Sequence, residues 1–274
     1  KVQKLKSASE LPADFDTTTA YNFSVTEGLP IYIWYDDTDH SLVYYSDADV
    51  IDINPDGYGY FDGYPNLTDI SILANWDASK ATTLVNFFRS SPSIENYDAV
   101  KDWDVSHVTN MGGTFNGSKA TDLDALTDWD TSHVTSMANM FQNANRLTTL
   151  DVSNWNTLKV RNMAYMFYSD WNLTTLDVSN WNTSNVTNMA YMFSGANNLT
   201  TLDVSNWNTS KVTRMAQMFF DARNLTTLNV SNWNTSNVTN MASMFYNATN
   251  LTTIYAGSGW STVNVTNSVY MFRL

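Results

Sequence analysis

Three sets of residues in this chain have the types and spacing that recognition or catalysis would need. The first is a column of carboxylates, Asp151, Asp177 and Asp203, each following a Thr by two residues and preceding a Ser by two. Carboxylates brought close to one another repel unless hydroxyls, water or a cation compensate, and such a row could also bond sugar hydroxyls or a peptide; the alternative is a polar face kept wet for solubility. The second set is aromatic. Tyr165, Tyr168, Trp171, Tyr191, Phe220 and Tyr246 fall where neighbouring copies of an internal repeat differ, and exposed rings stack on sugars or anchor protein interfaces. The third is Asp52-Ile53-Asn54-Pro55-Asp56-Gly57, which reproduces the first six positions of a calcium-binding loop. Position twelve of that loop would be Gly63, which supplies no bidentate carboxylate, and an Asx-Pro turn explains the same residues.

The means for most other chemistry are missing. The chain has no cysteine and three histidines, and His107 and His133 share a repeat position that later copies fill with Lys159, Asn185, Lys211, Asn237 and Asn264. A column that accepts any polar residue is an exposed turn, not a metal or catalytic site. The net charge of -13 lies in the first half: residues 1–130 hold 22 acidic against 7 basic residues, and residues 131–274 hold 5 against 7. The basic residues of the second half are scattered, which speaks against a nucleic-acid footprint. No apolar run is long enough to span a bilayer. The absence of cysteine fits an exported bacterial protein but does not fix the compartment. The chain starts at Lys1 without Met and stops just after a repeat Phe, so we expect a piece of a longer protein.

What positions these residues is a repeat. Trp76, Trp103, Trp129, Trp155, Trp181, Trp207, Trp233 and Trp260 follow one another at 26 or 27 residues, each with a Phe twelve residues later, from Phe88 to Phe272, and six of them with a Met eight residues later. A period of this length predicts a stacked array in which each unit buries its apolar positions against its neighbours, with the Trp, Met and Phe columns as core. Within a unit, Leu199, Leu202 and Val204 predict a short strand with Thr201, Asp203 and Ser205 on its open face. Val186, Met189 and Phe193, spaced by three and four behind Ser184, predict a short helix or helical turn. Ile70, Tyr97 and Leu123 stand six residues before their Trp where later copies have Leu five before, so the first strands should be bulged or reshaped. Upstream, 30–35 and 42–45 read as a β-hairpin across Asp36–Ser41, and Phe61 marks a degenerate half-repeat. The expected architecture is an α/β solenoid, a right-handed leucine-rich-repeat-like coil of short parallel strands and short helices or turns with an N-terminal hairpin cap. Its divisions are a polar lead segment at 1–20, the cap and half-repeat at 21–63, and the array at 64–274.

The string at 173–193, Leu-Thr-Thr-Leu-Asp-Val-Ser-Asn-Trp-Asn-Thr-Ser-Asn-Val-Thr-Asn-Met-Ala-Tyr-Met-Phe, resembles the repeat of BspA-like leucine-rich-repeat surface proteins, and Gly28–Tyr35 through Asn54–Gly57 resembles the segment that precedes such repeats. Leu158 in place of a capping Ser and Ser268 in place of the last Met are modest departures. The resemblance implies a secreted, wall-attached protein of a Gram-positive bacterium, non-catalytic, with adhesion to mucin, glycans, matrix proteins or other bacterial surfaces. It carries over no site residues. It implies no cofactor, calcium at 52–57 being the one the residues themselves suggest, and wall attachment through a region outside this chain. A stalk without a ligand is the alternative, and a polysaccharide-active β-solenoid enzyme a more remote one.

Overall fold

The structure is a computed structural model and describes residues 1–18, 29–48 and 50–273. The first sheet has the order β1 (Lys4–Ser7), β3 (Ser41–Tyr45), β2 (Tyr32–Asp36), with β2 and β3 antiparallel about a turn at His40 and β1 parallel to β3. Residues 21–28, which the cap at 21–63 includes, lie outside the described residues. The sequence places Lys4–Ser7 in a polar lead segment, whereas the structure makes it a strand. It is a strand because Leu5 is buried while Lys4 and Lys6 reach the Asp39 carboxylate. The half-repeat joins the array through β4 (Ile51–Asp52), paired in parallel with β5 (Trp76–Asp77).

Each repeat is bonded to the next, and the core follows the columns. Phe rings from Phe88 to Phe272 stack on their successors at 5.3 to 5.9 Å. Trp181, Trp207 and Trp233 stack at 6.4 Å and within 4° of parallel. The indoles do more than fill volume. From Trp103 to Trp233 each Nε1–H donates to a main-chain carbonyl of the preceding repeat at 3.0 to 3.1 Å, as Trp207 does to Val178. Beside them a buried Thr column sends its hydroxyls forward, Thr183 to Asn208 O at 3.0 Å and Thr209 to Asn234 O at 2.9 Å. A buried ring or hydroxyl needs such a partner, and for these indoles and threonines it is the adjacent copy.

The half-repeat read as a short helix or helical turn is a run of turns, with no α-helix among the described residues. Over 189–195 the N–H groups of Met189, Tyr191, Phe193 and Gly195 donate to Arg214, Ala216, Met218 and Phe220 of the next repeat at 2.7 to 3.0 Å. The intervening Met192, Ser194 and Ala196 donate three residues back. All the forward bonds leave as N–H, and the carbonyls of Asn188, Ala190, Met192 and Ser194 face the preceding repeat. A helix would have spent these groups internally. What prevents it is a left-handed residue at two fixed positions, two and six residues after the Met site: Asn139 and Asn143, Tyr165 and Ser169, Tyr191 and Gly195, Gln217 and Asp221, all with φ between 54° and 77°. A parallel bridge column runs at the head of these turns, from Asp56 through Thr83, Asn110 and Asn188 to Asn267.

The half read as a strand alternates as expected, Leu202 and Val204 in and Thr201 and Asp203 out. Strand pairing there is confined, among the described residues, to β6 (Thr227–Val230) with β7 (Thr253–Ala256). In the first repeats the additional residue is taken up by 3-10 turns that begin directly after Ile70, Tyr97 and Leu123.

Candidate functional site

On the strand half, the carboxylate column sits over a shallow groove of about 440 Å³ lined by Thr175, Asp177, Thr201, Asp203, Thr227 and Asn229 among others. Each carboxylate is already engaged within its own repeat. Oδ1 of Asp151, Asp177 and Asp203 accepts the backbone N–H of the Ser two residues on at 3.0 to 3.1 Å and its hydroxyl at 2.7 Å. These bonds hold Asp177 below the usual carboxylate range, the Ser179 hydroxyl contributing most. Asn229 makes the same turn with Ser231, so the bond requires a side-chain oxygen and not a charge. The column is first of all a set of Asx turns.

The turn half presents a different surface. Tyr165 and Tyr191 occupy equivalent left-handed positions and their rings lie 4.3 Å apart and 8° from parallel. Tyr168 packs on the edge of both, at 5.6 and 6.3 Å, and Gln217 Nε2 donates to the Tyr191 hydroxyl at 3.0 Å. All three Tyr are half-buried, and burial raises the Tyr165 phenol above its ordinary value, with Tyr191 adding to it. Trp171 stands apart and is 46% exposed. Phe220 and Tyr246 form a second stack at 5.0 Å, continued by Tyr270 and by Arg273 over the Tyr270 ring at 4.9 Å. The six aromatics singled out from the sequence therefore divide into a triad, a pair and one lone ring.

Toward the N-terminus the same columns become amides. A groove of about 450 Å³ is lined by Asn86, Asn110, Asn116, Asn139 and Gln142 over a floor of Val85, Gly112 and Ala138. Asn86 and Asn139 hold the left-handed position that Tyr165 and Tyr191 hold further on. At the margin Arg89 is clamped by both Asp62 carboxylate oxygens. This groove escaped the sequence reading. Its signal was the recurrence of Asn and Gly two and six residues after the Met site, which are the residues that tolerate positive φ.

The calcium-loop residues have separate tasks. The Asp52 carboxylate pairs with Lys80, the Asn54 side chain accepts the Asp56 N–H at 3.0 Å, and Asp56 takes part in the bridge column. Among the described residues no group of three or more His, Cys, Asp or Glu is gathered as a metal site would require. His107 and His133 are exposed, each beside the preceding Ser hydroxyl at 3.2 and 3.3 Å.

One polar residue has no place in any of these surfaces. Asp170 is wholly buried with neither carboxylate oxygen hydrogen-bonded, in a column otherwise made of Ser91, Ser118, Ala144, Ala196, Ala222 and Ala248. Burial pushes its carboxyl well above the usual range, with the Ala144 backbone N–H and then Lys119 pulling the other way.

Among the described residues no helix is long and apolar enough to cross a membrane. No curated protein and no solved structure matches the chain. A family profile described as "Mycoplasma protein of unknown function, DUF285" matches twice, over residues 58–174 and 169–274, so that together the two matches span the whole periodic region. The chain is a repeat protein and belongs to the DUF285 family.

Proposed function

We propose that this chain is the repeat domain of a BspA-like leucine-rich-repeat surface protein, a solenoid that binds a component of a host or microbial surface without catalysis, metal or cofactor. The Tyr165–Tyr191 stack is the observation that supports this most. A bulky residue at positive φ costs on the order of 1–3 kcal/mol and persists only where the surroundings over-determine it, and apart from Tyr270 in the last repeat the other copies fill the position with Gly, Asn, Gln or Ser. Two strained tyrosines side by side at a surface serve contact with something outside the chain better than they serve the fold. Export and display on the bacterial wall are part of the same reading, and rest on the resemblance of the repeat string.

The test is capture of the purified chain on immobilised mucin, matrix proteins and intact bacteria, beside a variant with Tyr165, Tyr168, Trp171 and Tyr191 all replaced by Ala. Saturable capture that the variant loses, while its circular dichroism and melting remain those of an intact array, supports a binding domain. Absence of capture by the folded chain would favour a stalk that projects another domain.

A further inference from the structure

The amide groove and the tyrosine triad are built from the same columns and follow one another along successive repeats. The site two residues after the Met position runs Asn86, Gly113, Asn139, Tyr165, Tyr191, Gln217, Ser243 and Tyr270, all at positive φ and none charged. The site five residues after it runs Asn116, Gln142, Tyr168. Between these lies a floor of small side chains, Gly112, Ala138, Ala164 and Ala190. Asn116 Nδ2 donates to Gln142 Oε1 at 3.2 Å, which leaves the Asn116 oxygen and the Gln142 nitrogen for a ligand.

This chemistry selects among ligand classes. A nucleic acid would need free cations along its path, whereas Arg89, the one cation among the residues lining the amide groove, is held by Asp62. A protein partner would place its hot spots in deep apolar pockets ringed by Arg and aromatic anchors, and this floor is shallow and amide-edged. A polysaccharide presents hydroxyl edges to planar amides and phenols, and because Tyr165 and Tyr191 cover one another's faces, it is the ring edges and hydroxyls that a chain running along the array would meet. We infer that this face is a track for an extended, uncharged polysaccharide, its hydroxyls bonded by Asn86, Asn116, Asn139 and Gln142 and its chain continuing over the edges and hydroxyls of the Tyr165–Tyr191 stack. The inference rests on the proposed binding function and names its ligand class.

The experiment is affinity electrophoresis of the whole chain in native gels containing hydroxyethyl cellulose, galactomannan or dextran, with hyaluronan as the anionic contrast, alongside capture on gelatin. The informative variant is Tyr165→Asn with Tyr191→Asn, because Asn139 already occupies that column and Asn suits positive φ better than Tyr, so the fold is kept. Retardation by a neutral polysaccharide, weakened roughly tenfold or more by the Asn pair and also by Asn116→Ala with Gln142→Ala, supports the track. Retardation that both variants leave unchanged overturns the assignment to this face. Capture on gelatin that the Asn pair abolishes, with no retardation in any neutral gel, overturns the ligand class and leaves the binding function standing. Silence in every arm overturns both.

Discussion

Replacing Asp170 by Ala should stabilise this protein, and should do so more as the pH rises. The side chain is wholly buried with both oxygens unbonded, whereas the polar occupants of the same column have partners: Ser91 Oγ donates to Phe61 O at 2.6 Å and Ser118 Oγ reaches the Tyr97 hydroxyl at 3.4 Å. Even as a neutral acid, Asp170 costs the fold about 1–3 kcal/mol for polar atoms removed from water without compensation. Ionisation adds to this. The folded carboxyl is raised far above its unfolded value, burial outweighing the Ala144 backbone N–H, and Lys119, the cation that acts on it, spends its ammonium on Asn145 Oδ1 at 2.6 Å. Lys119 is itself held below its usual value by burial, the attraction of Asp170 only partly offsetting it and Arg146 opposing its charge. A raised acid is protonated in both states at low pH and therefore neutral in its effect there. Above the unfolded value of about 4 the unfolded chain loses the proton while the folded chain keeps it, and stability falls as pH rises toward the folded value. The advantage of Asp170→Ala should thus be about 1–3 kcal/mol near pH 4, or some 2–4 °C in Tm per kcal/mol for a chain of this size, and larger at pH 7. Thermal melts of wild type, Asp170→Ala and Asp170→Asn from pH 3 to 8 would measure it. The other shifted carboxylates, such as Asp104, Asp130 and Asp177, are common to all three proteins and cancel. Stability curves that run parallel for wild type and Asp170→Ala, or an Ala variant less stable than wild type, would refute the reasoning.

Two further predictions concern hydrogen bonds between and within repeats. Trp207→Phe should cost about 1–3 kcal/mol more than Trp76→Phe in chemical denaturation, because Trp207 Nε1 satisfies Val178 O at 3.1 Å while Trp76 Nε1 is buried without a partner; equal costs would mean that the indole bonds contribute nothing. Asp177→Ala should lower stability at neutral pH by less than about 1 kcal/mol, since its turn is exposed. Because the folded Asp177 is held low, the charge-dependent part of that stabilisation is present above about pH 4 and lost as pH falls through the depressed value, while the turn itself can persist on a neutral oxygen as it does at Asn229. A difference that persisted unchanged at pH 2 would show that the Ser179 bonds do not act through the charge.

The columns that pack were legible because periodicity alone reveals them: a Trp every 26 or 27 residues with a Phe twelve later leaves little else for those side chains to do. What the period could not say is how the backbone travels between them. Val186, Met189 and Phe193 are spaced for one face of a helix, yet the same spacing arises when a left-handed residue every fourth position folds the chain into successive turns. The distinguishing mark was local chemistry, Asn, Gly and Ser in two columns, and it was hidden in the best-formed repeats because Tyr165 and Tyr191 occupy one of them. Lys4–Ser7 was missed for a related reason: a four-residue strand with two lysines is specified by Asp39 and by β3, neither of which is local in sequence. Asp170 was visible as a letter out of place among Ala and Ser, but its cost depends on burial that only the packed column supplies.

That a left-handed column can hold tyrosine at all follows from how the repeats are joined. Tyr165 N–H donates forward to Ala190 O at 3.0 Å and Tyr191 N–H to Ala216 O at 2.9 Å, while Tyr168 and Ser194 close the turns behind them. Each backbone group is fixed from two sides, so the side chain at that position is released from any duty to choose the conformation. The Phe column has no such freedom, because each ring must stack on its own copy. A scaffold of this kind separates the residues that build it from those that vary upon it, and the variable ones come to lie in rows along the array. If the array served only as a spacer, substitution in those rows would drift toward the residues that fit positive φ with least strain, Gly and Asn, as at Gly113 and Asn139. Two adjacent tyrosines run against that drift, and a ligand that spans neighbouring repeats is the physical reason we assign to them.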